Sequence, residues 1–171
     1  AGGTGKMTLA APLRILREYG AADGLLCAAA CSAVQKLLQG QLVDELPAAD
    51  AAALSEMDAV RVFTWLIDSH SASNDPTADV AEALAEVALC TASLPPSVLF
   101  DVGLAVVPSL CEAISRAATW AATKEHAVAF GELCEALGRT MVAADSSSWR
   151  SARAGKGFSP QMDRVTAEFP N

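Results

Sequence analysis

The chain has 171 residues, 52% of them hydrophobic and 19% charged, with a net formal charge of −8. That is apolar material enough for a real core, and it excludes wholesale disorder. Aromatics make up only 5% while alanine, the strongest helix former, occurs 36 times, so the composition points to an all-α protein and away from a β-sandwich or barrel.

In chain order, a glycine-rich start leads into MTLAAPLRILREYG, where Leu9, Leu13 and Leu16 recur at helical spacing. Gly20 is expected to stop this helix in the left-handed conformation that glycine adopts without penalty. A second helix is expected from Ala22 to Gln39, with Leu26, Ala30, Ala33 and Leu37 as its apolar stripe. Pro47 and Asp50 mark a turn and a candidate N-cap, followed by a short helix over ADAAALSE. A stronger helix starts near Asp58 and carries Val60, Phe63 and Ile67. The run DSHSASNDPT is a loop by composition, because Ser, Asn, Asp and Pro all favour local turns. Pro76 or Thr77 then opens a helix to about Thr91, with Val80, Leu84 and Val87 on one face and Asp79, Glu82 and Glu86 on the other.

SLPPS breaks that helix, with Ser97 as the expected next N-cap. Leu99, Val102, Val106, Leu110, Ile114 and Ala117 continue at helical spacing, and Pro108 is expected to kink or split the run. WAATKEH holds a bend or a continuous join. The last helix reads Phe130, Cys134, Leu137 and Met141 as its stripe. After Asp145 the sequence SSSWRSARAGKGFSP suggests a flexible Ser/Gly/Arg-rich tail over 146–171. The helices fall into pairs near 8–39, 50–92 and 97–144 within a helical-repeat segment 1–145, close to the ~40–47-residue period of HEAT and armadillo units. The expected architecture is therefore antiparallel helix pairs stacked as a HEAT/armadillo-like α-solenoid; a six-helix bundle is the alternative.

Charge is unevenly distributed. Residues 41–100 carry Arg61 alone against ten acids, which disfavours nucleic acid and anionic lipid as partners and favours basic ones. The stripe Asp79, Glu82 and Glu86 is the candidate protein-binding site, since carboxylates accept paired hydrogen bonds from guanidinium groups. Solvation of a helix surface is the plain alternative.

The residues point to no enzyme. AGGTGKMT fails as a phosphate loop because Met7 follows Lys6 and no strand precedes the glycines. His70, placed in a polar loop, and His126, near a helix start, lack any recognisable nucleophile motif. The five cysteines, Cys27, Cys31, Cys90, Cys111 and Cys134, fall inside apolar helical patterns and read as small hydrophobes in a reducing compartment. Cys27 and Cys31 share a helix face, but no second ligand pair with zinc spacing follows. No catalytic residue, metal or cofactor is assigned. Trp65 and Trp120 are expected in the core; Trp149 stands in the tail. No run of about 18 apolar residues is free of charge or turn residues, so no membrane span is expected. The chain reads as a fragment of a longer soluble protein.

Two stretches carry a resemblance. APLRILREYGAADGLLCAAACSAVQKLLQ is similar to a HEAT repeat of nuclear transport receptors in the importin-β superfamily. AISRAATWAATKEHAVAFGELCEALGRTMV resembles the transportin-SR branch, through Phe130, Glu132, Leu133, Cys134 and Glu135 in FGELCE. The resemblance implies a superhelical carrier that shuttles between cytoplasm and nucleus. It would bind basic, Arg-Ser-rich cargo, release it to GTP-bound Ran, and contact phenylalanine-glycine nucleoporins. A HEAT-like scaffold or adaptor with no transport role is the alternative, and a small helical enzyme with a concave polar pocket is a third reading.

Overall fold

In a computed structural model, residues 8–39, 47–94, 96–122 and 124–143 are described, and side chains at 96–105, 124, 125 and 143 are left aside. The described residues form helices without a strand: α1 (Ala10–Tyr19), α2 (Gly24–Gln39), α3 (Ala48–Glu56), α4 (Ala59–His70), α5 (Ala78–Ala92), α6 (Pro96–Trp120) and α7 (Lys124–Ala143). The protein is all-α in this region, as the composition implied. The 146–171 tail and the Lys6 region lie outside the described residues.

The leucine spacing of α1 places Leu9, Leu13 and Leu16 in the core, all fully buried. Leu9 supplies no side-chain cap; instead its amide donates to Asp50 Oδ1 at 3.0 Å. Asp50 thus caps the start of α1 across space and does not cap the helix that contains it. Gly20 departs from expectation as well. Its φ of −59° and ψ of −36° are right-handed, so left-handed freedom is not what selects glycine there. Space is the reason: a Cβ would stand 2.5 Å from the Leu16 carbonyl oxygen and 2.9 Å from Leu66 Cδ2.

In α2 the buried stripe is Cys27, Cys31, Val34 and Leu38, one position on from the expected Leu26, Ala30, Ala33 and Leu37. Ala30 remains buried within it, while Leu26, Ala33 and Leu37 are half-buried. Thiols and alanines are as burial-tolerant as leucine, and they let a neighbouring helix come close. Met57 and Asp58 turn the chain sharply between α3 and α4, with Asp58 left-handed at φ 53°, a region Asp tolerates better than most residues. Helix α4 buries Val62, Phe63, Leu66 and Ile67 and continues through His70. The loop expected from Asp68 therefore begins only at Ser71, and Val60 is half-buried.

Thr77 opens α5 as its N-cap, its Oγ1 accepting from the Val80 amide at 3.3 Å. Helix α5 is buried on most sides, with Ala81, Ala83, Leu84, Ala85, Val87, Ala88 and Cys90 all inside. Only a helix this rich in alanine can be approached from so many directions. Pro96 is the first residue of α6, where its missing amide costs nothing. Ser97 therefore lies within the helix and is not its cap. Pro108 neither splits α6 nor ends it; the helix runs through, with that proline on its exposed side.

A turn at Ala121 and Ala122 separates α6 from α7. The buried residues of α7 are His126, Ala129, Leu133, Ala136 and Thr140. Phe130 and Leu137 are half-buried, while Cys134 and Met141 of the expected stripe are exposed. Thr140 tolerates full burial because its hydroxyl donates to the Ala136 carbonyl at 2.7 Å.

Helix α2 packs on α5 and α5 on α7, while α4 packs on α6; α1 lies on α2, α4 on α5, and α6 on α7. Among the described residues no substantial packing joins α1 or α2 to α6 or α7. Two histidines stitch successive interhelix turns along one edge. His70 Nε2 bonds the Gly20 carbonyl at 2.8 Å, and His126 Nε2 bonds the Pro76 carbonyl at 2.9 Å; each reaches 50 residues back along the chain.

Candidate functional site

The one strip of α5 that escapes burial is acidic. Asp79 and Glu82 are exposed and Glu86 is half-buried, so these three expected site residues share the solvent edge of a helix otherwise enclosed by its neighbours. Glu86 Oε2 accepts from Gln35 Nε2 of α2 at 2.8 Å, which fixes that carboxylate at the α2–α5 seam. Asp79 stands one turn before Glu82, where the backbone of α5 comes against Gly24 of α2: a Cβ there would lie 3.0 Å from the Asp79 carbonyl oxygen.

Sequence spacing on one helix did not disclose what lies beside this strip. Helix α7 brings Glu132 and Glu135 to it. The carboxyl of Glu132 is held above the usual carboxylate range, first by partial burial and then by the negative charges of Glu86, Glu135 and Glu82. Four carboxylates from two adjacent helices thus form one ridge. Among the described residues the ion pairs are Arg61 with Asp58 and Arg116 with Glu112, so none of the four carboxylates is held in one. The signal that could have found it is the pairing of an i,i+4 acidic pair, Glu82 and Glu86, with the i,i+3 pair Glu132 and Glu135. Pairing the two requires knowing that α5 and α7 touch.

The buried polar groups are arranged for structure. Cys27, Cys31 and Cys90 are fully buried and lie close enough in series from His70 to influence one another's titration. The Cys27 thiol is pushed far up by its bond to Cys31 and by burial, against the pull of His70. Cys31 is also raised: its bond with Cys27 pulls down, but its bond with Cys90, burial and the Glu86 charge push it further up. Cys27 and Cys31 stay protonated and are poor nucleophiles. His70, expected in a loop, is instead a buried helix terminus. Burial opposes its charged form, yet its bonds with Cys27 and the Gly20 carbonyl hold its pKa above the ordinary value. Among the described residues no group of three or more His, Cys, Asp or Glu is placed to hold a metal ion, and no helix is long and apolar enough to cross a membrane.

Trp120 is buried as expected and meets the His126 ring edge-on, centroids 5.3 Å apart and planes at 88°. Trp65 is not in the core; it is 46% exposed. Cys111 and Cys134 are also exposed, contrary to their reading as buried small hydrophobes. No protein family, curated protein or solved structure matches this chain.

Proposed function

We propose that the chain is a protein-binding segment of a helical-repeat carrier, in which the ridge of Glu82, Glu86, Glu132 and Glu135 receives a basic peptide segment. The observation that carries the reading is the convergence of those carboxylates from two helices, none of them in an ion pair among the described residues. Arginine-rich segments suit such a ridge, because a guanidinium presents paired donors to each carboxylate and loses less hydration than an ammonium.

The finer architecture is a stack of helix pairs, α1 with α2, α4 with α5 and α6 with α7, in the manner of a HEAT/armadillo-like solenoid. Its support is the packing order, in which each pair meets only its neighbours and the ends of the series stay apart. The histidine bonds from His70 to Gly20 and from His126 to Pro76 repeat the same link between successive pairs. With the resemblance of FGELCE to transport receptors, this reading extends to nuclear import of basic, Arg-Ser-rich cargo under control of Ran, with phenylalanine-glycine nucleoporins as further partners and shuttling between cytoplasm and nucleus.

Two measurements test the two levels. An Arg-Ser peptide titrated by fluorescence anisotropy should bind with an affinity that falls as salt rises. Binding should be lost when Glu82 and Glu132 are both changed to lysine; equal binding by that variant removes the ridge from the account. Binding to Ran loaded with GTP, compared with GDP, tests transport. Absence of any preference leaves a scaffold or adaptor that binds basic partners without a transport role.

A further inference from the structure

We propose that the corner between α6 and α7 is a built-in point of release. When it lifts from the α4–α5 loop, two buried nitrogens that the closed fold leaves without partners reach water. The same movement carries Glu132 and Glu135 away from α5, so the ridge comes apart. Among the described residues the buried side-chain nitrogens without a hydrogen-bond partner are Trp120 Nε1 and His126 Nδ1. The residues that carry them are only 7% and 8% exposed. Their rings meet with centroids 5.3 Å apart, so both nitrogens lie in one small volume.

The bond the corner does make fixes what each nitrogen needs. The Pro76 carbonyl can only accept, so His126 Nε2 carries the imidazole proton. In the neutral ring Nδ1 is then a lone pair in need of a donor, while the indole Nε1–H can only donate. The near-perpendicular rings, at 88°, do not join the two in a bond. The other histidine link shows what is missing. His70 bonds a turn carbonyl, that of Gly20, 50 residues back, and meets the Cys27 thiol besides; His126 has the carbonyl alone. Each buried polar group left without a partner favours an open form that hydrates it by about 5–150-fold.

The packing of α7 gives the corner little further hold. Besides His126, its buried residues are Ala129, Leu133, Ala136 and Thr140, with Leu133 the single large apolar side chain among them. Helix α4, by contrast, buries Val62, Phe63, Leu66 and Ile67. Gly131 and Gly138 weaken α7 as a helix, since glycine loses more backbone freedom on folding than any other residue. A Cβ at either would meet nothing within 4 Å, so no close approach demands them. Charge acts the same way, because Glu132 stands among Glu86, Glu135 and Glu82, and parting α7 from α5 relieves the repulsion across the seam. Local opening concentrates where large buried contacts are few. A cation that bridges α5 and α7 favours the closed corner in turn, by its differential affinity for the two forms. That coupling rests on the ridge reading; the release itself does not.

Amide hydrogen exchange of the full chain, read by mass spectrometry and corrected for intrinsic rates, tests the proposal. Amides of α7 should be protected at least about tenfold less than those of α4. Equal protection of the two helices overturns the proposal, because the corner would then open only with the whole fold. The second arm replaces Trp120 by β-(3-benzothienyl)alanine, which keeps the shape of the indole and carries sulfur in place of the N–H. Removing one unpartnered donor should slow exchange in α7 by about 5–150-fold. Unchanged or faster exchange in that variant overturns the proposal, since Nε1 would then have a partner in the closed fold. The coupling has its own readout: an Arg-Ser peptide that binds by fluorescence anisotropy should slow exchange in α7. Binding without slowing overturns the coupling. Absence of binding removes the ridge reading, and the first two arms still decide the release.

Discussion

His70 is the most informative residue to remove. Its Nε2 bonds the Gly20 carbonyl at 2.8 Å in a buried setting, with the residue only 4% exposed. In His70→Leu the replacement side chain is of similar bulk, so the main loss is the bond and the main residue is a buried carbonyl without a donor. Such an orphaned group costs about 1–3 kcal/mol. For a chain of this size that corresponds to a fall in Tm of about 2–12 °C. The loss should depend on pH. Because the folded pKa of His70 lies above its ordinary value, the charged imidazole adds stability that is complete below about pH 6.5 and disappears as pH rises through the folded value. The gap in Tm between the native chain and His70→Leu should therefore be larger at pH 6 than at pH 9. At the higher pH it should shrink to the contribution of the neutral imidazole bond. Thermal unfolding by circular dichroism at both values measures it. An unchanged Tm, or a gap that widens with pH, would refute the argument that this histidine ties α4 to the end of α1.

Other substitutions test separate features. Gly20→Ala forces a methyl group against the Leu16 carbonyl and Leu66, and should lower stability by about 1–3 kcal/mol, read from the denaturant midpoint. Thr77→Ala removes the hydroxyl that caps α5 and should cost about 1 kcal/mol in the same assay. Glu132→Gln should act in the opposite direction. The folded pKa of Glu132 is raised, so its ionisation is disfavoured in the folded state and stability falls as pH rises through the window above the ordinary value. The glutamine should therefore gain up to about 1 kcal/mol at pH 7 and nothing below about pH 4; equal stability of the two proteins at pH 7 would count against crowding of charge on the ridge.

The helices themselves were readable because alanine content, leucine spacing and punctuation by proline and glycine are local signals. Thr77 announced the start of α5, and Leu9, Leu13 and Leu16 announced the buried side of α1. Longer-range substitutions of role were not readable. Asp50 looked like the cap of its own helix, yet its carboxylate serves Leu9 from 41 residues away. His70 sat in a run of turn-forming residues, yet its side chain had a buried carbonyl to satisfy, and that drew one more turn of α4 into the fold. Trp65 was assigned to the core because it lies beside the apolar stripe of α4, yet Val62, Phe63, Leu66 and Ile67 fill that side and leave it 46% exposed. For the ridge, half was visible: Glu82 and Glu86 are neighbours on one helix, whereas Glu132 and Glu135 join them only through tertiary packing.

The one-position error in α7 shows how strongly a surface depends on the packing beneath it. Successive helical residues are rotated by about 100°. A core side centred on Phe130, Cys134, Leu137 and Met141 would point Glu132 directly away from the protein, where it would be an isolated solvated charge. The core side is instead centred on His126, Ala129, Leu133, Ala136 and Thr140, which turns Glu132 onto the seam with α5 and Cys134 outward. That rotation is selected by side chains of little bulk: alanines that let α5 and α7 approach, a threonine satisfied by its own helix, and a histidine whose bond to Pro76 and contact with Trp120 anchor one end. A search for large apolar residues discounts all of these. The acidic ridge is thus a consequence of the alanine-rich core: the close approach of α5 and α7 sets Glu132 where its own burial and the charges of Glu86, Glu135 and Glu82 raise its proton affinity.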